Sequence, residues 1–350
     1  MQTLSLAMIV RNEELLLGRL LACARPFVDQ IVVVDTGSSD RTEAIARDAG
    51  AEVHHFTWVD DFAAARNAAF SLCSGDWILW LDADDFLPAA AQQAFQALKS
   101  GLLESADIDG VMIPYVLSFD DHGQPVEQCD RERVIRRAAH LRWSGRVHET
   151  LALPAGRVGH CRDAWVEHRP DAALRGNKAG RNLRIYRQFV DIDRDEPHVV
   201  FQFACELQWN ALPAEAVTAF RRFLGRVDGE PDAVGDQYLA CIKLADCAAG
   251  LGQVDEAVAG CLKAVGLDCR RAEAFTLAGE ILLRAGRNKE AWPFLAVASA
   301  LPLPAPAGKL VFPWFYGQRA RDGLARCLPA MAPHGGLPLQ MCCTLTQPPP

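Results

Sequence analysis

The chain has 350 residues, half of them apolar, and a formal net charge of −8 at pH 7. Such a chain can bury a large core, in about two domains, and its acidic balance argues against nucleic acid as a partner, which needs a basic face. No apolar run approaches the roughly 18 residues of a membrane span. The start, "MQTLSLAMIVRNEE", lacks the basic segment of a signal peptide. The twelve cysteines form no C-x-x-C pair, so ordinary thiols are expected rather than disulfides or zinc. A soluble, cytoplasmic protein without a transmembrane segment is the expectation.

In chain order, "LSLAMIV" (4–10) is an apolar run suited to a buried strand, and "EELLLGRLLACA" (13–24) has helical spacing. "QIVVVD" (30–35) predicts a second strand. "SDRTEAIARDAG" (39–50) predicts a helix, capped by Ser39 or Asp40 and stopped by Gly50. A third strand at 51–56, a helix at 61–75 and a fourth strand, "WILWLD" (77–82), complete the alternation. Continuous apolar strands alternating with helices predict a mainly parallel, doubly wound sheet. Ligands of such sheets sit at the carboxyl ends of the strands.

Beyond this, "GVMIPYVLSF" (110–119) reads as a strand, with a turn near Asp120–Gly123, and 133–151 as strand, turn and strand. Residues 131–187 carry 14 Lys/Arg against 5 Asp/Glu. These cations either pair with the acidic first half or neutralise a diphosphate. From about 198 only helices are expected. "ALPAEA" (211–216), "GQVDEA" (252–257) and "GRNKEA" (286–291) end alike. The last two lie 34 residues apart, the tetratricopeptide period, and the first is out of register by seven. The proline-rich stretch 302–313 ends the array, and the tail after 328 is expected to be disordered. The domains expected are therefore 1–195, 198–300 and a segment 301–350.

The strand ends carry the chemistry. Strand one runs into Arg11-Asn12-Glu13, strand two into Asp35-Thr36-Gly37-Ser38, and strand four into Asp82-Ala83-Asp84-Asp85. Carboxylates one residue apart on a turning backbone can share a hard divalent cation, which bridges phosphate oxygens. The competing reading, that the acids cap a helix at 88–99, accounts for one or two of the three. A dinucleotide-binding fold would need G-x-G-x-x-G after strand one, where this chain has R-N-E-E.

The motifs "LSLAMIVRNEE", "IVVVDTGSSDRT", "DFAAARNAAF", "GDWILWLDADD", "WSGRVHE" and "NKAGRN" together resemble glycosyltransferase family 2 over roughly residues 3–300. More narrowly they are similar to a bacterial branch that joins the transferase domain to tetratricopeptide-like helices. That branch includes S-glycosyltransferases that place sugar on a bacteriocin cysteine. The resemblance implies an inverting enzyme with a Rossmann-like nucleotide-diphospho-sugar transferase domain of the GT-A type, followed by an all-α domain.

By position, it implies that Arg11, Asn12 and Glu13 line the nucleotide and that Asp35 lies near base or ribose. Thr36 stands where many relatives carry a second acid that contacts uracil. Arg66 would face base or diphosphate. Asp82 and Asp84 would hold Mn²⁺ or Mg²⁺ with the diphosphate, His168 would complete the metal site, and Asp85 would border the sugar.

"WSGRVHE" offers Glu149 and His148 as the base that takes the acceptor's proton, with Glu149 favoured. Trp143 either stacks under a sugar or packs beside the turn. Asn177, Lys178 and Arg181 reach phosphates or simply start a helix. The donor implied is a UDP-sugar; the acceptor is a protein, peptide or glycan. The helices would present that acceptor or assemble a dimer. The alternatives are an interaction scaffold with a vestigial transferase domain, and a nucleotidyltransferase, for which the glycine-rich loop after strand one is missing.

Overall fold

The computed structural model describes residues 2–101, 107–120, 122–123, 125–170, 180–304 and 311–331. Asn177, Lys178, part of the proline-rich stretch and the tail beyond 331 lie outside them. The chain divides into two units, one of residues up to Tyr186 with Val311, the other from Arg187 onward without Val311.

The first unit follows the expected alternation. Its elements are β1 (Leu4–Val10), α1 (Leu17–Ala24), β2 (Gln30–Asp35), α2 (Thr42–Asp48), β3 (Glu52–His55), α3 (Phe62–Leu72) and β4 (Trp77–Trp80). Then come β5 (Asp85–Phe86), α4 (Ala89–Ser100), β6 (Gly110–Phe119), β7 (Pro125–Arg136), β8 (Trp143–Ser144), β9 (Thr150–Leu151), β10 (Val158–His160) and β11 (Val166–His168). Helix α1 starts four residues later than the spacing predicts. The reason is that Glu13 N–H donates to Thr42 Oγ1 and Glu14 N–H to Asp40 Oδ2, which pins that segment to the turn after β2.

The sheet order is β3-β2-β1-β4-β7-β6-β11-β5, with β10 beside β6. Strands β3, β2, β1 and β4 are parallel, as expected. The other half departs from the mainly parallel expectation: β7 runs antiparallel to both β4 and β6, and β11 antiparallel to β5. The sheet is therefore mixed, because β6 and β7 form a long hairpin rather than a crossover unit.

Alternation along the strands sorts the core onto the two faces. Leu4, Leu6, Met8 and Val10 pack with Ile31, Val33 and Trp77 against Leu17 and Leu20 of α1 and Phe95 of α4. Ala7, Val32, Val34, Ile78 and Trp80 pack with Ala69 and Phe70 of α3 and with Trp143. Helix α5 (Arg181–Phe189) runs across the division between the units.

The second unit contains α6 (Pro197–Trp209), α7 (Pro213–Arg226), α8 (Val234–Gly250), α9 (Val254–Leu267), α10 (Ala272–Arg284), α11 (Asn288–Ala300) and α12 (Gln318–Met331). The three similar phrases lead into α7, α9 and α11, the second helix of each pair. The seven-residue irregularity has a location. The connection 227–233 is three residues longer than 268–271, and α8 has 17 residues where α10 has 13, one extra helical turn. Among the described residues, no helix is long and apolar enough to cross a membrane.

Candidate active site

The carboxyl ends of β1, β2 and β4 open onto a cavity of about 750 Å³ in the first unit. That size suits a small-molecule ligand. Arg11, Asn12 and Glu13 line it after β1, Thr36 after β2, and Asp82 and Asp84 after β4. Arg66 enters from α3, Arg131 and Arg133 from β7, His168 from β11, and Arg181 from the start of α5, while His148 and Glu149 come from the loop between β8 and β9. Most of the expected residues thus converge from elements that are distant in sequence.

The acids of D-A-D-D have different fates. None caps α4, whose first residue follows Pro88 with no side-chain cap. Asp85 is fully buried: its Oδ2 pairs with Arg133 at 3.1 Å and accepts Asp82 N–H at 3.0 Å, and its Oδ1 accepts the Tyr115 hydroxyl at 2.9 Å. Burial, helped by the Asp82 and Asp84 charges, pushes the Asp85 carboxyl up against the opposing pull of Arg133. Asp82 is also penalised by burial, but the Arg66 and Arg133 charges outweigh that and hold it at about 2. Drawing Asp85 inward turns the backbone so that Asp82 and Asp84 face the cavity.

Antiparallel pairing of β11 with β5 sets His168 opposite Asp85. Its Nδ1 is buried without a hydrogen-bond partner, 3.7 Å from Asp84 Oδ1. That gap is too long for a hydrogen bond, and it suits two ligands of one cation. Ligand atoms of Asp84, Asp85 and His168 all lie within 4.8 Å of one another, as do those of Asp35, Glu43 and His55.

Glu149 Oε1 accepts from Arg66 Nε at 2.5 Å, and Arg66 Nη2 donates to Asp82 Oδ1 at 2.8 Å. The guanidinium lies over Trp80 at 4.5 Å and Trp143 at 5.3 Å. His148 stacks on Tyr186 with a centroid separation of 6.2 Å. His148 and Asn12 both have positive φ, 51° and 55°. Non-glycine residues held there concentrate at functional sites.

Part of the basic segment takes the charge-pairing role that was one of its two expected readings. Arg133 pairs with Asp85, Arg157 with Asp109 and Arg184 with Asp60. Arg181 lies over the Phe62 ring, and its Nε is buried without a hydrogen-bond partner. Burial pulls Arg181 below the ordinary guanidinium range and the nearby Arg11 adds to it, against Glu13, Asp84 and Glu149. Two cations brought together in one cavity create a place for an anion.

Three expected residues do not reach the cavity. Asp85, expected to border a sugar, is enclosed by Arg133 and Tyr115. Asp35 is buried, and its oxygens accept Gly37 N–H, Ser38 N–H and the Ser38 hydroxyl, closing the turn after β2. Trp143 is packed edge-to-face on Phe70 and Trp80, the packing beside the turn that was one of its two expected readings. Asp82, expected to ligate metal, lines the cavity and accepts a hydrogen bond from Arg66 at Oδ1.

Sequence reasoning missed Tyr115, Arg131, Arg133 and the Trp58–Phe62 wall. Arg131 and Arg133 both come from β7, with Arg133 at a shift in the β6–β7 register that the spacing in "RERVIRR" does not disclose.

The acid-lined strand edge, the facing histidine, the basic α5 and the loop carboxylate sit on a mixed α/β sheet of the GT-A type. Residues 5–101 match the family described as glycosyl transferase family 2. A TPR repeat-containing protein of Synechococcus elongatus is 42% identical over 43% of this chain and 36% of its own length. The SPbeta prophage-derived glycosyltransferase SunS of Bacillus subtilis is 24% identical over 63% of this chain and 53% of its own. This chain thus spans between about a third and a half of those two relatives. A crystal structure of glucosyl-3-phosphoglycerate synthase from Mycobacterium tuberculosis with Mn²⁺ and UDP-glucose is similar over 53% of this chain and 78% of that one. It has 17% identity and a TM-score of 0.38.

Proposed function

We propose that this protein is an inverting glycosyltransferase that moves a hexose from a nucleotide-diphospho-sugar, a UDP-sugar first of all, to a protein, peptide or glycan acceptor. The observation that carries this reading is the meeting of Asp82, Asp84 and His168 with Arg11 and Arg181 in one cavity. Carboxylates and cations so placed suit a metal-bound diphosphate. The nucleotide lies along Arg11, Asn12, Glu13 and Thr36, and Arg181 meets its phosphates. Asp84 and His168 would hold Mn²⁺ or Mg²⁺, with Asp82 beside them; the orphaned Nδ1 of His168 fits that role. A divalent ion held there would offset the charge of the leaving diphosphate. Glu149 takes the acceptor's proton as the acceptor attacks the anomeric carbon, with His148 the alternative base. The second unit presents the acceptor or assembles a dimer.

Calorimetric titration with UDP, GDP and dTDP, each with and without Mn²⁺, tests the donor site. UDP is expected to bind best and only with metal. Asp84→Asn and His168→Ala should abolish that dependence without lowering the melting temperature. UDP affinity unaffected by chelator would overturn the metal assignment. No nucleotide binding at all would favour the scaffold reading.

A further inference from the structure

We propose that Arg66 is a positioning residue for Glu149 and not a nucleotide contact. The proposal rests on the reading of Glu149 as the base. Helix α3 grips the segment from Trp143 to Glu149, β8 and the loop after it, at three points. Phe62 N–H donates to the Arg146 carbonyl at 2.9 Å. The Asn67 side-chain amide makes a closed pair with the Trp143 backbone, donating from Nδ2 and accepting at Oδ1, both at 3.0 Å. Arg66 donates to Glu149 itself.

Both residues of the "RN" pair thus point at this acceptor-side segment. Arg66 has little freedom to do anything else. Its side chain is only 8% exposed and its guanidinium lies over two indole rings. Burial alone would weaken its charge, yet Asp82 and Glu149 raise it above the ordinary guanidinium range. A planar fork holding two carboxylates by separate nitrogens fixes the direction of both. One carboxylate belongs to the strand end that faces the donor and the other to the loop that faces the acceptor. Arg66 therefore sets the base in register with the donor-side acids.

A residue that acts through the base affects turnover far more than donor binding. Steady-state kinetics of the full chain, following released nucleoside diphosphate, tests this with Arg66→Gln, Glu149→Gln and the double variant. Arg66→Gln is expected to lower kcat by about 100-fold, the typical consequence of a small misplacement of a reacting group, with donor KM and UDP affinity changed far less, through the lost contact with Asp82. In the Glu149→Gln background, removing Arg66 should cost nothing further, because residues that act as a unit are not additive.

Arg66→Lys guards against a folding defect: it keeps the charge but cannot hold both carboxylates in one plane, and it too should change kcat far more than KM. A raised donor KM at constant kcat would make Arg66 a nucleotide contact and overturn the proposal. Additive losses in the double variant would reduce Arg66 to a general structural role and overturn it also. Wild-type turnover in Glu149→Gln would instead remove the base assignment on which the proposal rests.

Discussion

Asp35 shows how a carboxylate at a strand end can serve the cavity without facing it. With three donors gathered on its oxygens, it holds Gly37 at φ 104° and brings Ser38 and Ser39 to Asn12. Nothing stands within 4 Å of where a Gly37 Cβ would lie, so any cost of a side chain there is backbone strain and not a clash. Gly37→Ala is expected to destabilise the first unit by about 1–2 kcal/mol and to weaken nucleotide binding by loosening the Arg11–Asn12 wall. Urea unfolding and nucleotide titration check this; an unchanged urea midpoint would contradict it. Asp85 is the second such case, since its ion pair with Arg133 is wholly buried. Breaking one side of a buried pair costs several kcal/mol, so inactivity of an Asp85 variant would not by itself identify a catalytic group.

At the level of elements, small residues let helices of the second unit approach closely. A Cβ added at Gly279 of α10 would stand 2.4 Å from Leu295 Cγ of α11, and one at Gly323 of α12 would stand 2.9 Å from Leu295 Cδ2. Leu295 is fully buried, with Gly279 and Gly323 both against its side chain. Two effects of Gly279→Ala oppose each other. Helix propensity favours alanine by about 1 kcal/mol, while overpacking a tight core costs about 1–3 kcal/mol. Packing should win, so Gly279→Ala is expected to lower the melting temperature. In a Leu295→Ala background the sign should reverse, because the obstruction is gone. A melting temperature raised by Gly279→Ala alone would show that α11 yields. Buried Glu273 has a related role within this unit. It accepts from Arg271 and from the Tyr316 hydroxyl, each at 2.7 Å, and so ties the segment before α12 to α10.

On the scale of the whole molecule, each unit has its own apolar core, one around the sheet and the other including Leu282, Leu295 and Cys327. Unfolding should therefore not be a single two-state event. Calorimetric scanning is expected to resolve two transitions, of which UDP with Mn²⁺ raises only one. At a ligand concentration a hundredfold above Kd, the shift corresponds to about 2.7 kcal/mol. A single transition moved as a whole by ligand would mean that the units unfold together.

Local pattern was enough for much of this protein. The strands at 4–10, 30–35 and 110–119 match observed elements end to end, because apolar runs bounded by polar turns are a short-range signal. The acids after β4, the polar triplet after β1 and the loop carrying Glu149 were legible for the same reason: each interrupts an apolar run with charge. The 34-residue spacing between α9 and α11 likewise foretold the helical hairpins. What sequence left undecided were pairings between distant segments. That β7 runs antiparallel beside β4 and buries Arg133 against Asp85 depends on a hairpin register, and arginine is ordinarily a surface residue. Asp82, Asp84 and Asp85 are equivalent in the sequence. Only the tertiary structure sets one beside Arg66, one beside His168 and one beneath the site, because the fates of charged groups are decided by which opposite charges the fold brings near them.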